Sequence, residues 1–115
     1  MILCDQLWLS EAIENIMKNF IEKNKNQKIF VDVDQYDSLT LMKIYDHGNG
    51  FLEKDIPHLF ERFYRGQNND DHGVGIGLSL AKEIIDKHHG IVRAYNQMGA
   101  VIEISIPQIL AKKKL

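Results

Sequence analysis

A single cysteine, Cys4, excludes an internal disulfide, and this usage suits a reducing compartment. No apolar run approaches the roughly 20 residues that span a bilayer, and no signal peptide precedes the first charges. These residues are therefore expected to be soluble and cytoplasmic, without direct membrane contact. A basic surplus is missing too: 14 Lys and Arg stand against 16 Asp and Glu, a net charge of -2, so nucleic acid is set aside as a partner. There is no internal repeat and no Pro- or Gly-rich linker, and 115 residues suffice for one compact domain, 1–115. The closing AKKKL reads as a solvated end.

What is present is an ordered series of short patterned segments. From Gln6 to about Lys23, Leu9, Ile13, Ile16, Met17 and Phe20 recur at helical spacing, with Asp5 as the candidate N-cap. KIFVDVD (28–34) alternates as a half-buried strand, and LTLMKIYD (39–46) is a second strand that makes a hairpin with it. HGNGF is a glycine turn, and Pro57 suits the first turn of a short helix through Phe60 and Phe63. YRGQNNDDHG is polar and glycine-bearing, hence a loop. A second helix carries Leu80, Ala81, Ile84 and Ile85 and ends at HHG, with Gly90 at the C-cap. IVRAYN and AVIEISIP are strands around the turn QMG, with Ile102, Ile104 and Ile106 on one face. Strand pairs separated by helices imply an α+β two-layer sandwich with helices on one sheet face.

Three segments carry candidate chemistry. GVGIGL places Gly73, Gly75 and Gly77 before the second helix. It is not a P-loop, because Leu78 and Ser79 stand where Lys and Ser or Thr are required. Nor is it a dinucleotide fingerprint, since QNNDDH is no strand and Leu78 takes the third glycine position. A phosphate cradle at a helix N-terminus and a plain hinge both remain open. In DHGNG, Asp46 ends a strand, where a buried carboxylate can accept from an adenine amino group while Gly48 and Gly50 leave room for the base; an ordinary Asp-Gly turn fits as well. In ENIMKN, Asn15 and Asn19 lie about 40° apart around the helix, bordering its apolar stripe. An amide oxygen there can ligate Mg²⁺, and a simple polar border is the alternative.

Taken in order, these segments resemble the ATP-binding catalytic domain of bacterial sensor histidine kinases, in the superfamily shared with gyrase, MutL and a heat-shock chaperone. LSEAIENIMKNF is similar to that family's asparagine box, YDHGNGF to its first glycine box, PHLFERFYRG to its phenylalanine box, and GVGIGLSLAKEIIDKHHG to its second glycine box. The resemblance implies a Bergerat-type fold, a mixed and mostly antiparallel sheet, here without the strand that usually opens the domain. It implies ATP and Mg²⁺ as ligands, with Asn19 on the metal and Asn15 facing the phosphates. Asp46, Gly48 and Gly50 would form the base pocket, with Phe60 and Phe63 anchoring a lid and Tyr64 near the nucleotide. Arg65 would meet phosphate oxygens, and Gly73, Gly75, Gly77 and Leu78 would form the phosphate loop.

The implied activity is that of a protein histidine kinase whose acceptor histidine lies on a separate dimerisation domain, with a response regulator downstream and a parent protein anchored in the membrane. None of the five histidines has the family's phosphoacceptor context, so the isolated chain is expected not to phosphorylate itself. Hydrolytic superfamily members carry a glutamate four residues before the metal-binding asparagine; Asn15 stands there instead, which implies transfer to a protein nucleophile. The chain departs from the family at Phe20, where a small residue is usual, at Glu22, where a phosphate-side Lys is common, and at His47, which replaces an Asn. His47, His58, His88 and His89 read as surface or capping residues. Two alternatives stand beside this reading: a serine kinase of the same fold, and a non-catalytic interaction module.

Overall fold

The computed structural model describes residues 2–23, 28–62 and 77–107. The elements are α1 (Ile2–Lys23), β1 (Phe30–Gln35), β2 (Leu39–Tyr45), a one-turn 3-10 helix η1 (Ile56–His58), α2 (Gly77–Lys87), β3 (Ile91–Asn96) and β4 (Ala100–Pro107). The four strands form one sheet in the order β1-β2-β4-β3, and every pairing is antiparallel. The β1–β2 and β3–β4 hairpins are as expected, and the parallel component of a mixed sheet does not occur among the described strands.

Alternation along the strands sets the core. Ile44, Ile102 and Ile104 share one sheet face, with Ile44 paired to Ile102 and Met42 to Ile104. On that face Ala12, Ile16 and Phe20 of α1 meet Leu78, Ala81, Ile84 and Ile85 of α2, so the two helices pack on each other as well as on the sheet. Leu9, Ile13 and Met17 flank this stripe half-buried, as helical periodicity requires.

Four local expectations are corrected. α1 begins at Ile2, so Asp5 lies within the helix and is not its N-cap; no Pro or Gly stands ahead of it to stop the helix. β1 is not half-buried, because Val31 and Val33 are 44% and 50% exposed on the helix-side face. The reason is position: β1 is an edge strand, and the helices lie chiefly on one another and on the strands beyond it. The short helix closes only one 3-10 turn, with Pro57 in its first turn as expected, and continues through Phe60 as turns. Pro57 has no N–H to give an α-type bond, and the segment is built from i→i−3 bonds such as His58 N–H to Asp55 O and Leu59 N–H to Ile56 O.

The last correction concerns the end of α2. His89, at φ 64, takes the left-handed position, not Gly90. Gly90 N–H reaches Ile85 O at 2.9 Å and His89 N–H reaches Asp86 O at 3.0 Å, the two bonds of a Schellman cap. Gly90 is needed for a different reason: a Cβ there would lie 2.7 Å from Ser105 O, so its smallness lets the helix end close onto β4.

Candidate nucleotide site

The first component of the site is the loop after β2. Asp46 prolongs the β2–β4 ladder by one rung, its N–H donating to Ala100 O at 3.1 Å. Its carboxylate is fully buried (0% exposed), a costly placement unless backbone donors compensate. They do: Oδ1 accepts the N–H groups of Gly48 and Ala100, each at 3.0 Å. The Gly48 bond is the Asp-Gly turn foreseen as an alternative, so turn and buried carboxylate coexist in one residue. Two donors on one oxygen fix the rotation of the carboxylate.

The β3–β4 turn completes this loop. Gly99 adopts φ 138, and a Cβ on it would run into the Asp46 carbonyl oxygen. At the far end of the loop, Asn96 Oδ1 accepts the Phe51 N–H at 2.8 Å, and its Nδ2 donates to Phe51 O at 2.9 Å. Gly50 lies between at φ 84, and a Cβ there would stand 2.6 Å from Asn96 Oδ1. The space that Gly50 leaves is therefore filled by Asn96. His47 turns away to stack on Phe30, ring centroids 4.8 Å apart, and both rings neighbour Tyr45. This accounts for an imidazole at that position: it joins an aromatic cluster beside the loop.

Phe51 joins the loop to α1. Its buried ring meets that of Phe20 at 6.4 Å between centroids, tilted by 60°. Phe20 is thus absorbed by packing. On the same helix Asn15 and Asn19 are half-buried at the border of the core stripe. The Asn15 Nδ2 is buried with no hydrogen-bond partner among the described residues. A buried amide donor without an acceptor is unfavourable in isolation and fits an anion brought by a ligand. No group of three or more His, Cys, Asp or Glu suited to a metal occurs among the described residues.

The third component is the start of α2. Gly77 is its first residue, where helical N–H groups lack intrahelical partners, and none of the described residues lies within 4 Å of a Cβ built on it. That open space suits close approach of a phosphate to backbone. Leu78 is buried in the core, so only its backbone is available to a ligand. Phe60 is half-buried against the core cluster. The remaining candidates Phe63, Tyr64, Arg65, Gly73 and Gly75 lie outside the described residues.

Asn96, Gly99 and Ala100 were not singled out from sequence as functional. QMG was legible as a turn, but its bonds to Asp46 and Phe51 join residues 45 to 54 positions apart, which no local spacing reveals. His58 pairs with Glu61 at 2.9 Å on the surface, and His88 and His89 finish α2, in keeping with the surface and capping roles expected.

Comparison with known proteins accords with this geometry. Residues 4–109 match the family described as histidine kinase-, DNA gyrase B- and HSP90-like ATPase. The chain is 36% identical over 105 residues to the sensor histidine kinase YvrG of Bacillus subtilis, covering 87% of this chain and 18% of that protein. It is 31% identical over 116 residues to the sensor protein SphS of Synechococcus elongatus, covering 90% of this chain and 27% of that protein. Among solved structures, a mycobacterial sensor histidine kinase, MprB, superposes with a TM-score of 0.76 at 26% identity, over 84% of this chain and 70% of that one. The catalytic domain of the histidine kinase ThkA shares the fold with a TM-score of 0.81 at 23% identity, over 94% of this chain and 71% of that one. The chain belongs to the histidine kinase-, DNA gyrase B- and HSP90-like ATPase family, and is a catalytic domain of the sensor histidine kinase type.

Proposed function

We propose that this chain is the ATP–Mg²⁺-binding module of a two-component sensor histidine kinase, donating the γ-phosphoryl group of ATP to a histidine on a separate dimerisation domain. The observation that carries the reading is Asp46, a fully buried carboxylate at a strand end whose orientation is held by two backbone N–H groups. Such a group accepts the adenine amino group with a charge-assisted hydrogen bond. The unpartnered Asn15 amide donates to a phosphate oxygen, and the open N-terminal end of α2 at Gly77 receives another. Asn19 holds Mg²⁺, a cation that takes few protein ligands where it also binds substrate phosphates. When bound, Mg²⁺ neutralises charge on the transferring group. By the family resemblance, Gly73, Gly75 and Arg65 would complete the phosphate contacts, Tyr64 would serve the nucleotide, and Phe60 and Phe63 would anchor the lid.

Asn15 has no site that takes a proton from water, which supports transfer to a protein nucleophile over rapid hydrolysis. Catalysis then consists of positioning and charge neutralisation. The parent protein acts as a membrane-anchored kinase with this module in the cytoplasm, and its phosphohistidine supplies a response regulator. No helix among the described residues is long and apolar enough to cross a membrane.

The test is transfer from γ-labelled ATP, with the chain mixed with the histidine-bearing dimerisation domain of its parent kinase. Acid-labile, alkali-stable label on that domain, lost when its histidine is replaced, is the expected result. Stable label on a serine of a regulatory protein would favour the serine kinase instead. Bound ATP without transfer to either acceptor would favour the non-catalytic module.

A further inference from the structure

We infer that Asn96 is a positioning residue for the adenine end of the site: its side-chain amide holds the Asp46–Phe51 loop in the shape that presents the Asp46 carboxylate. The inference rests on the nucleotide-binding reading above. Asn96 is the last residue of β3 and pairs with Ala100 across the hairpin. Ala100 N–H grips the start of the loop at Asp46 Oδ1, and the Asn96 amide grips its end at Phe51. One hairpin end therefore holds both ends of the loop.

The second grip is specific to asparagine. Its amide accepts from the Phe51 N–H at 2.8 Å and donates to the Phe51 carbonyl at 2.9 Å, reproducing with a side chain the two-way bonding of a strand pair. Aspartate keeps the acceptor but turns a carboxylate oxygen toward the Phe51 carbonyl. Alanine keeps neither bond, and glutamine carries its amide one methylene too far. Gly50 is the complement of Asn96: at φ 84, with the position of its missing Cβ 2.6 Å from Asn96 Oδ1, any side chain at residue 50 displaces the amide. Asn96 is exposed and lies outside the buried core, so its loss is expected to loosen the loop more than to unfold the domain. If the competent loop falls to about a tenth of the population, apparent affinity falls about tenfold.

The experiment is calorimetric titration of ATP and GTP, each with Mg²⁺, into the wild-type chain, Asn96→Ala and Asn96→Asp, with thermal unfolding measured in parallel. GTP has no exocyclic amino group at the corresponding ring position for Asp46 to accept, so the ATP-to-GTP affinity ratio reads base recognition. The expected result for Asn96→Ala is an ATP affinity lower by about tenfold, a GTP affinity close to wild type, and an unfolding midpoint within a few degrees of wild type. Asn96→Asp should fall between the two, and it carries the comparison if the alanine variant does not fold. Unchanged ATP affinity in both variants, or equal losses for ATP and GTP, would overturn the inference while leaving nucleotide binding intact. A folded wild-type chain that binds neither nucleotide would overturn the nucleotide reading, and this inference with it.

Discussion

The loop from Asp46 to Phe51 and the start of α2 both depend on glycine, yet the glycines meet opposite surroundings. At Gly50 a Cβ would press on the Asn96 amide, while at Gly77 it would meet none of the described residues within 4 Å. In the first region the polar groups are matched within the chain: the Asp46 carboxylate to two backbone donors, the Asn96 amide to the N–H and the C=O of one residue, Phe51. Beside it on α1, the buried Asn15 Nδ2 has no partner among the described residues. A region matched internally is preorganised; a region with an idle donor and open space is completed by something from outside. The proposed site thus has a rigid end for the base and an unfinished end for the phosphates.

That contrast is broken most severely at the matched end. Gly99→Ala places a methyl group against the Asp46 carbonyl at a φ that suits glycine, and is expected to cost about 3 kcal/mol or more. For a domain of this size that lowers the thermal midpoint by roughly 10 °C or more, read by scanning calorimetry. At the unfinished end the signs should differ. Asn15→Ala removes an unmatched donor, so stability is expected to hold or rise while ATP–Mg²⁺ affinity falls about tenfold, the worth of one hydrogen bond to a charged group. Loss of stability together with affinity would show that Asn15 is matched after all.

Gly77→Ala sharpens the same point with a smaller effect. The helix gains up to about 0.5–1 kcal/mol from the better helix former, and nucleotide affinity falls a few-fold as the methyl group occupies the open space. Parallel urea melts and titrations measure both. The smallest effect lies outside the contrast, at Tyr45, whose hydroxyl donates to Asp32 at 2.9 Å. That bond, helped by desolvation and by the Asp32 charge, holds the phenol above its usual pKa of 10.0. The bond's contribution is therefore present below pH 10.0 and lost as pH rises through the raised value. Ultraviolet titration should show one tyrosine ionising late, and Asp32→Asn should return it toward the usual range without altering nucleotide binding.

The order of elements was legible because each rests on local chemistry. Alternation marked IVRAYN and AVIEISIP, which the structure reproduces as β3 and β4, and helical spacing marked the buried faces of α1 and α2. The asparagine and glycine segments were legible as candidate chemistry for the same reason, whereas the phenylalanine segment was given a role only by the family resemblance. Errors arose where tertiary position decides. Val31 and Val33 alternate as a buried strand would, but the helices lie on other strands. His89 takes the left-handed cap because Gly90 is required for close packing against Ser105. Asn96 looked like the end of a strand and nothing more, since its partner Phe51 lies 45 residues away.

The most direct test of the account is calorimetric titration of ATP, with and without Mg²⁺, into the wild-type chain and Asp46→Asn. Asparagine keeps the oxygen that accepts from Gly48 and Ala100, so the loop should hold its shape while the charged acceptor for the base is lost. The account predicts Mg²⁺-enhanced binding at one site in the wild type and affinity roughly 100-fold weaker in the variant, in line with the loss of a charge-assisted hydrogen bond at a buried position. A folded wild-type chain that takes up no ATP, or an Asp46→Asn variant that binds it equally well, would contradict it.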